Sequence, residues 1–89
     1  MRKIQRTNRF KKDYRRMLKR GVDEQRFQQV IRCLVHDQPL PEQCRPHLLS
    51  GDWQGFWECH IAPDWLLIYG LTDDTLILAR TGTHADLFR

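Results

Sequence analysis

Arg80, His84 and Phe88 recur at every fourth position close to the end of the chain. An arginine carries a planar, permanently charged fork that matches a phosphate. A histidine gives or takes a proton near neutral pH. A phenylalanine offers a face on which a base can stack. Three further titratable residues accompany them: His47, His60 and Asp64. An imidazole, a carboxylate, a guanidinium and a second imidazole are what metal-free RNA cleavage needs. A base takes the proton of the ribose 2′-hydroxyl, a cation stabilises the phosphorane, and an acid protonates the departing 5′-oxygen.

These residues must be brought together by the elements around them. Thr7 or Asn8 offers an N-cap, and Phe10, Tyr14, Met17 and Leu18 follow at helical spacing until Gly21. Asp23 caps a second helix with the stripe Phe27, Val30, Ile31, Leu34 and Val35, stopped at Gln38-Pro39-Leu40-Pro41. The short link makes the two helices an antiparallel hairpin. Before them, Lys3 to Thr7 reads as a short strand with Ile4 pointing inward. Glu42 to Gly51 reads as a loop, and residues 52–61 alternate as a strand. Trp65 to Leu71 is almost wholly apolar, as in a central strand covered on both faces, and Thr75 to Thr81 returns from the turn Thr72-Asp73-Asp74. The expected fold is therefore α+β, in the order β-α-α-β-β-β, with an antiparallel sheet and a two-helix hairpin on one face. In such a meander His60, Asp64 and Arg80 converge, with His84 one short turn beyond.

Each residue also has a plainer reading. Asp64 after Pro63 forms turns, Arg80 can pair with Glu58 or Asp64, and Trp65 suits a core. His36 ends the second helix, where a cation suits the helix dipole. Cys33, Cys44 and Cys59 form no C-x-x-C pair, and the histidines lack H-x-H or H-x₃-H spacing. Metal and disulfide are thus not expected, and no cofactor is.

A chain of 89 residues, 40% hydrophobic and 29% charged, is expected to form one domain spanning residues 1–89. No apolar run is long enough to span a bilayer, and the N-terminus lacks the apolar segment of a signal peptide. A cytoplasmic protein without membrane contact is the simplest expectation. The charge is lopsided: residues 1–20 hold ten Lys and Arg against Asp13 alone, while the whole chain carries only +4. That excess predicts an anionic partner, nucleic acid or an acidic protein segment. Lys11, Lys12, Arg15, Arg16, Lys19 and Arg20 are the candidate contacts.

Three segments carry a family resemblance. They are His47-Leu-Leu-Ser-Gly51-Asp-Trp53-Gln-Gly55, Cys59-His60-Ile-Ala-Pro63-Asp64-Trp65-Leu-Leu-Ile-Tyr69, and Arg80-Thr-Gly-Thr-His84-Ala-Asp-Leu-Phe88. Together they resemble the YafQ branch of the RelE-type toxins of bacterial type II toxin–antitoxin systems. The resemblance implies a ribosome-dependent endoribonuclease that cuts mRNA in the A site and arrests translation. It implies a cognate antitoxin, with operator DNA bound only through the antitoxin complex, and ribosomal RNA against the basic first helix. Carried over residue by residue, it points to His47, His60, Asp64, Arg80 and His84 as catalytic and to Trp65 and Phe88 as substrate-binding. Gln54 and Trp57 are neutral where members of the family often carry basic residues. His84 is the candidate acid; His60, Asp64 and His47 all stand as candidate bases. A basic module that binds RNA or the ribosome without cleaving is the alternative.

Overall fold

The computed structural model describes residues 1–88. The elements run β1 (Lys3–Arg6), α1 (Asn8–Lys19), α2 (Glu24–Val35), β2 (His47–Leu48), β3 (Trp57–Ala62), β4 (Trp65–Leu71), β5 (Thr75–Gly82) and a single helical turn, α3 (His84–Leu87). Thr7 starts α1, its Oγ1 accepting the Phe10 N–H at 3.0 Å, and its hydroxyl donates to the Ala79 carbonyl at 2.8 Å. One side chain thus caps the helix and fastens it to β5. Gly21 takes φ +84° just past α1, and the Asp23 carboxylate caps α2 by accepting the Gln25 N–H. Both helices lie where the sequence placed them.

The sheet has five strands in the order β1-β5-β4-β3-β2. The antiparallel meander β3-β4-β5 is as expected, but the sheet is mixed, because β1 runs parallel to β5 along its free edge. The Thr7 amide and hydroxyl, bonded to Leu78 and Ala79, fix that direction as the chain turns into α1. At this edge β1 is exposed throughout, so Ile4 does not point inward; it is 51% exposed. Within the expected loop, His47 and Leu48 add a two-residue strand against Glu58 and Trp57. Strand β3 begins only at Trp57, since Gly51 and Gly55 take φ +67° and +89° and Gly51–Trp53 forms a 3₁₀ turn. The Phe56 ring lies over Gly70, where a Cβ would come within 3.1 Å of it.

The core gathers Phe10, Met17, Val30 and Leu34 from the helices with Trp65, Leu67, Tyr69, Leu76 and Leu78 from the sheet. Strand β4 is buried along Trp65–Gly70, as a central strand must be. A bulge in β5 changes the alternation: Tyr69 pairs with Leu78 and Ile68 with Arg80, leaving Ala79 unopposed. Leu76 and Leu78 face the helices, and the extra residue turns Arg80 out of that stripe and Thr81 into it. A second bulge separates His60 from Ala62 in β3. Bulges thus sit beside both His60 and Arg80. No helix among the described residues is long and apolar enough to cross a membrane.

Candidate active site

The turn after β5 holds His84 by a reciprocal cap. Thr83 Oγ1 accepts the Asp86 N–H at 3.2 Å, and the Thr83 N–H donates to Asp86 Oδ2 at 3.0 Å. The ring of His84 lies 6.2 Å from that of His60 and 5.9 Å from that of Phe88, measured between centroids. The His84 N–H faces Asp64 Oδ1 at 3.4 Å, linking the β3–β4 turn to α3. Phe88 is 44% exposed. His60, Asp64, His84 and Phe88 therefore form one cluster, with an open imidazole beside an open ring. The Nδ1 atom of His60 is buried and has no hydrogen-bond partner among the described residues.

His47 stands further along the same face. Its Nε2 lies 2.9 Å from Oε1 of the buried Glu58, which shares a face of β3 with His60, two residues on. The histidine is thus tied to a carboxylate before any substrate arrives.

Arg80 is held differently. Its Nε donates to Asp13 Oδ2 at 2.7 Å and its Nη2 to Oδ1 at 3.2 Å, so the partner is Asp13 and not Glu58 or Asp64. The Thr81 N–H also approaches Asp13, at 3.3 Å. The Asp13 carboxylate raises the pKa of the guanidinium further above its ordinary value. Arg80 shares a 380 Å³ cavity with Arg16, Arg20, Ala85 and Asp86, and no histidine lines it. Of the guanidinium nitrogens, Nη1 makes no side-chain bond among the described residues.

Trp65 stands apart from the cluster. It is 2% exposed, its Nε1–H donates to Thr81 Oγ1 at 2.8 Å, and its ring lies 6.0 Å from Phe27 and 6.5 Å from Tyr14. The expectation that it touches substrate gives way to a core role, because the ring is buried against Phe27 and Tyr14 and its N–H is taken by Thr81.

The basic side chains of α1 occupy one half of the helix, opposite Phe10, Asp13 and Met17. All six candidates are exposed, but Arg16 and Arg20 lie 3.8 and 2.7 Å from the Asp86 carboxylate. Arg20 and the Thr83 N–H hold the Asp86 carboxyl well below the usual carboxylate range. Lys11, Lys12, Arg15 and Lys19 make no ion pair among the described residues and project freely. Asp13, Glu58 and Asp86 are the partners that sequence reasoning missed. Asp13 had a signal, as the single acid among the ten cations of residues 1–20.

A cationic helix beside a cluster of imidazoles, a carboxylate and an exposed ring defines a protein built to act on a polyanion. A family model described as bacterial toxin of type II toxin–antitoxin system, YafQ, matches residues 2–89. The mRNA interferase toxin YafQ of Escherichia coli K12 is 40% identical over 88 residues, covering 98% of this chain and 96% of that protein. In the E. coli DinJ–YafQ complex, a chain 39% identical superposes with a TM-score of 0.91, with full coverage of both chains. A metal-bound toxin from Helicobacter pylori, 37% identical, gives a TM-score of 0.92 over 99% of this chain and all of that one. The chain belongs to the YafQ family of type II toxin–antitoxin toxins, and it is a homologue of mRNA interferases. Unlike a ready-made metal centre, its described residues bring together no group of three His, Cys, Asp or Glu side chains that could hold a metal ion.

Proposed function

We propose that this protein is a ribosome-dependent endoribonuclease toxin that cleaves mRNA in the A site through attack of the ribose 2′-hydroxyl. The carrying observation is the His60–His84 pair, 6.2 Å apart, with Phe88 beside it and Asp64 against the His84 backbone. Two imidazoles at that separation leave room for a scissile phosphate between them. His84, the more exposed, is the acid that protonates the departing 5′-oxygen. His60 is the favoured base, because His47 is already engaged by Glu58 and Asp64 faces the His84 backbone. Arg80 offers Nη1 to the phosphorane while Asp13 fixes the rest of its guanidinium. Phe88 stacks on a base. Lys11, Lys12, Arg15 and Lys19 bind ribosomal RNA, with Arg16 and Arg20 adding charge behind Asp86. A cognate antitoxin neutralises the toxin, as the E. coli relative's complex with DinJ suggests, and operator DNA is bound only through that complex.

The test is induced expression of wild type and His84→Ala in a bacterial host, with growth followed and mRNA 5′ ends mapped. Wild type should arrest growth with cuts in translated message, and the variant should show neither. Purified with ribosomes in Mg²⁺, the wild type should keep its cleavage rate in a chelator selective for transition metals, since every proposed group is a side chain. A second reading, a basic module that blocks the ribosome without cutting, draws on the free cationic arc of α1, which needs no histidine. Growth arrest by both proteins with no new mRNA ends would select it.

A further inference from the structure

A cavity opens beside His60 that has no place in the chemistry described so far. It measures 440 Å³ and is lined by Arg26, Gln43, Arg45, His60, Ile61, Ala62 and Pro63. A second cavity of 360 Å³ shares Arg26, Gln43 and Ile61 with it and extends along α2 past Gln29. The two form one trough that begins at His60 and at the β3–β4 turn carrying Asp64.

Its walls differ from those of the cavity that Arg16, Arg20 and Arg80 line. Arg26 and Arg45 are exposed, and neither makes an ion pair or a side-chain hydrogen bond among the described residues. No carboxylate among the described residues lines either cavity. Arg16, Arg20 and Arg80, in contrast, are all engaged by Asp13 or Asp86. Arg45 also sits in a left-handed conformation, φ +46°, at the end of the 3₁₀ turn Glu42–Cys44. A residue with a side chain at such an angle is strained, and strain of this kind gathers at ligand clamps. Opposite the cations, Ile61, Ala62 and Pro63 provide an apolar wall.

We propose that this trough is a nucleotide subsite: it receives the RNA on the 5′ side of the cut, with Arg26 and Arg45 on phosphate, the Ile61–Pro63 wall under a base and Gln43 reading the base edge. The polarity follows from the placement of His84 at the departing 5′-oxygen, which puts a site beyond His60 on the side of the 2′-hydroxyl. The ligand class follows from the walls. Paired free guanidinium groups match phosphate, an amide that both donates and accepts matches a base edge, and the volume lies within the range of small-molecule sites. Surface charge on α1 would draw in RNA of any sequence. Gln43 in a confined cleft would discriminate between bases, so this trough contributes to which codons are cut.

The inference rests on the nuclease reading, and its test separates the two. Ribosome-dependent cleavage of a panel of messages differing at the nucleotide 5′ to the cut would be measured for wild type, for Arg26→Gln with Arg45→Gln, for Gln43→Ala, and for Lys11→Gln with Lys12→Gln as a charge-matched control. Loss of charge-assisted phosphate contacts should lower kcat/KM about tenfold or more in the trough double variant. Gln43→Ala should alter the order of preference among the messages, which the α1 control should leave as in wild type. Circular dichroism and thermal melts would establish that each variant is folded. In parallel, a short oligonucleotide with 2′-deoxyribose at the cut position would be titrated into His84→Ala and followed by amide NMR. Shifts should appear at Ile61 and Ala62 and at the Gln43 side chain, and vanish when Arg26 and Arg45 are also replaced. A wild type that cleaves, with trough variants that retain its rate and its preferences, would overturn the subsite while leaving the nuclease intact. A wild type that never cleaves would remove the nuclease reading itself. Oligonucleotide shifts confined to α1 would likewise overturn the trough.

Discussion

Arg80 and His84 stand four residues apart, but their surroundings are opposite. On the Arg80 side the polar groups are satisfied save Arg80 Nη1: Asp13 accepts from Nε, Nη2 and the Thr81 N–H, and Asp86 serves Arg16, Arg20 and Thr83. On the His84 side they are not. His60 Nδ1 is buried without a partner, and the contact from the His84 N–H to Asp64 is long, at 3.4 Å. Buried polar groups in native proteins are nearly always paired, so the first region is what stability demands. The second forgoes some stability and keeps groups free to exchange protons. Within four residues the chain passes from a side chain locked by an ion pair to one left open.

The contrast breaks most sharply at His84. Its replacement by Ala should lower cleavage by roughly 10²–10⁴-fold with little change in the melting temperature. Asp13→Ala should instead lose about 3–5 kcal/mol in urea denaturation, by leaving the Arg80 guanidinium without its partner, and should lower cleavage as well, because Asp13 positions Arg80. If Asp13→Ala melts like wild type, the arginine region is not the structural one. A smaller effect belongs to Asp86. Its folded pKa is depressed by Arg20, so its contribution is present above the ordinary carboxylate value of 3.8 and fades as pH falls below it. Asp86→Asn should therefore be less stable than wild type near neutral pH, with the difference closing in acid. Smallest is Tyr14, whose hydroxyl donates to Glu24 at 3.1 Å and whose pKa is pushed up to about 12, by burial first and by Glu24 second. Tyr14→Phe should cost about 0.5–1.5 kcal/mol. Being raised, this group favours the folded state below its ordinary value of 10.0 and loses that effect as pH rises towards about 12, which an ultraviolet titration would follow.

What the sequence made legible was whatever depends on neighbours along the chain. Caps at Thr7 and Asp23, the left-handed Gly21, the central strand Trp65–Leu71 and the tight turn before Thr75 all follow from residues within one or two turns of each other. The approach of His60, Asp64 and His84 was also readable, since a meander with short links has few geometries, but Arg80, expected to converge with them, pairs with Asp13 in a cavity no histidine lines. What escaped was long-range or depended on parity. Arg80 finds Asp13 across 67 residues, and periodicity carries no information about that choice. The bulge at Ala79 shifts the alternation by one, so Arg80 leaves the core stripe in which a regular strand would have put it. Trp65 was drawn towards the site by its motif, yet Tyr14 and Phe27, brought in by the helices, enclose it. Strand β1 was expected from Lys3 to Thr7 and runs Lys3–Arg6, but its parallel partner, β5, lies about seventy residues further along the chain.

That pairing has a consequence for how the protein comes into being. Ile4 is opposite Leu76, and Thr7 is bonded to Leu78 and Ala79, so the earliest strand made rests on the latest. During synthesis the N-terminal hairpin emerges first, but the apolar faces of α1 and α2 have no sheet to cover until β4 and β5 have left the ribosome. Contacts of such wide sequence separation form slowly, because the loop between them must close before they give any return. Folding and the completion of the His84 cluster therefore wait until β5 has been made. A nascent chain halted before Thr75 contains every cation of α1 but neither the strand that α1 packs against nor the imidazole of His84. The topology thus delays the packed fold until β5 is available to receive β1.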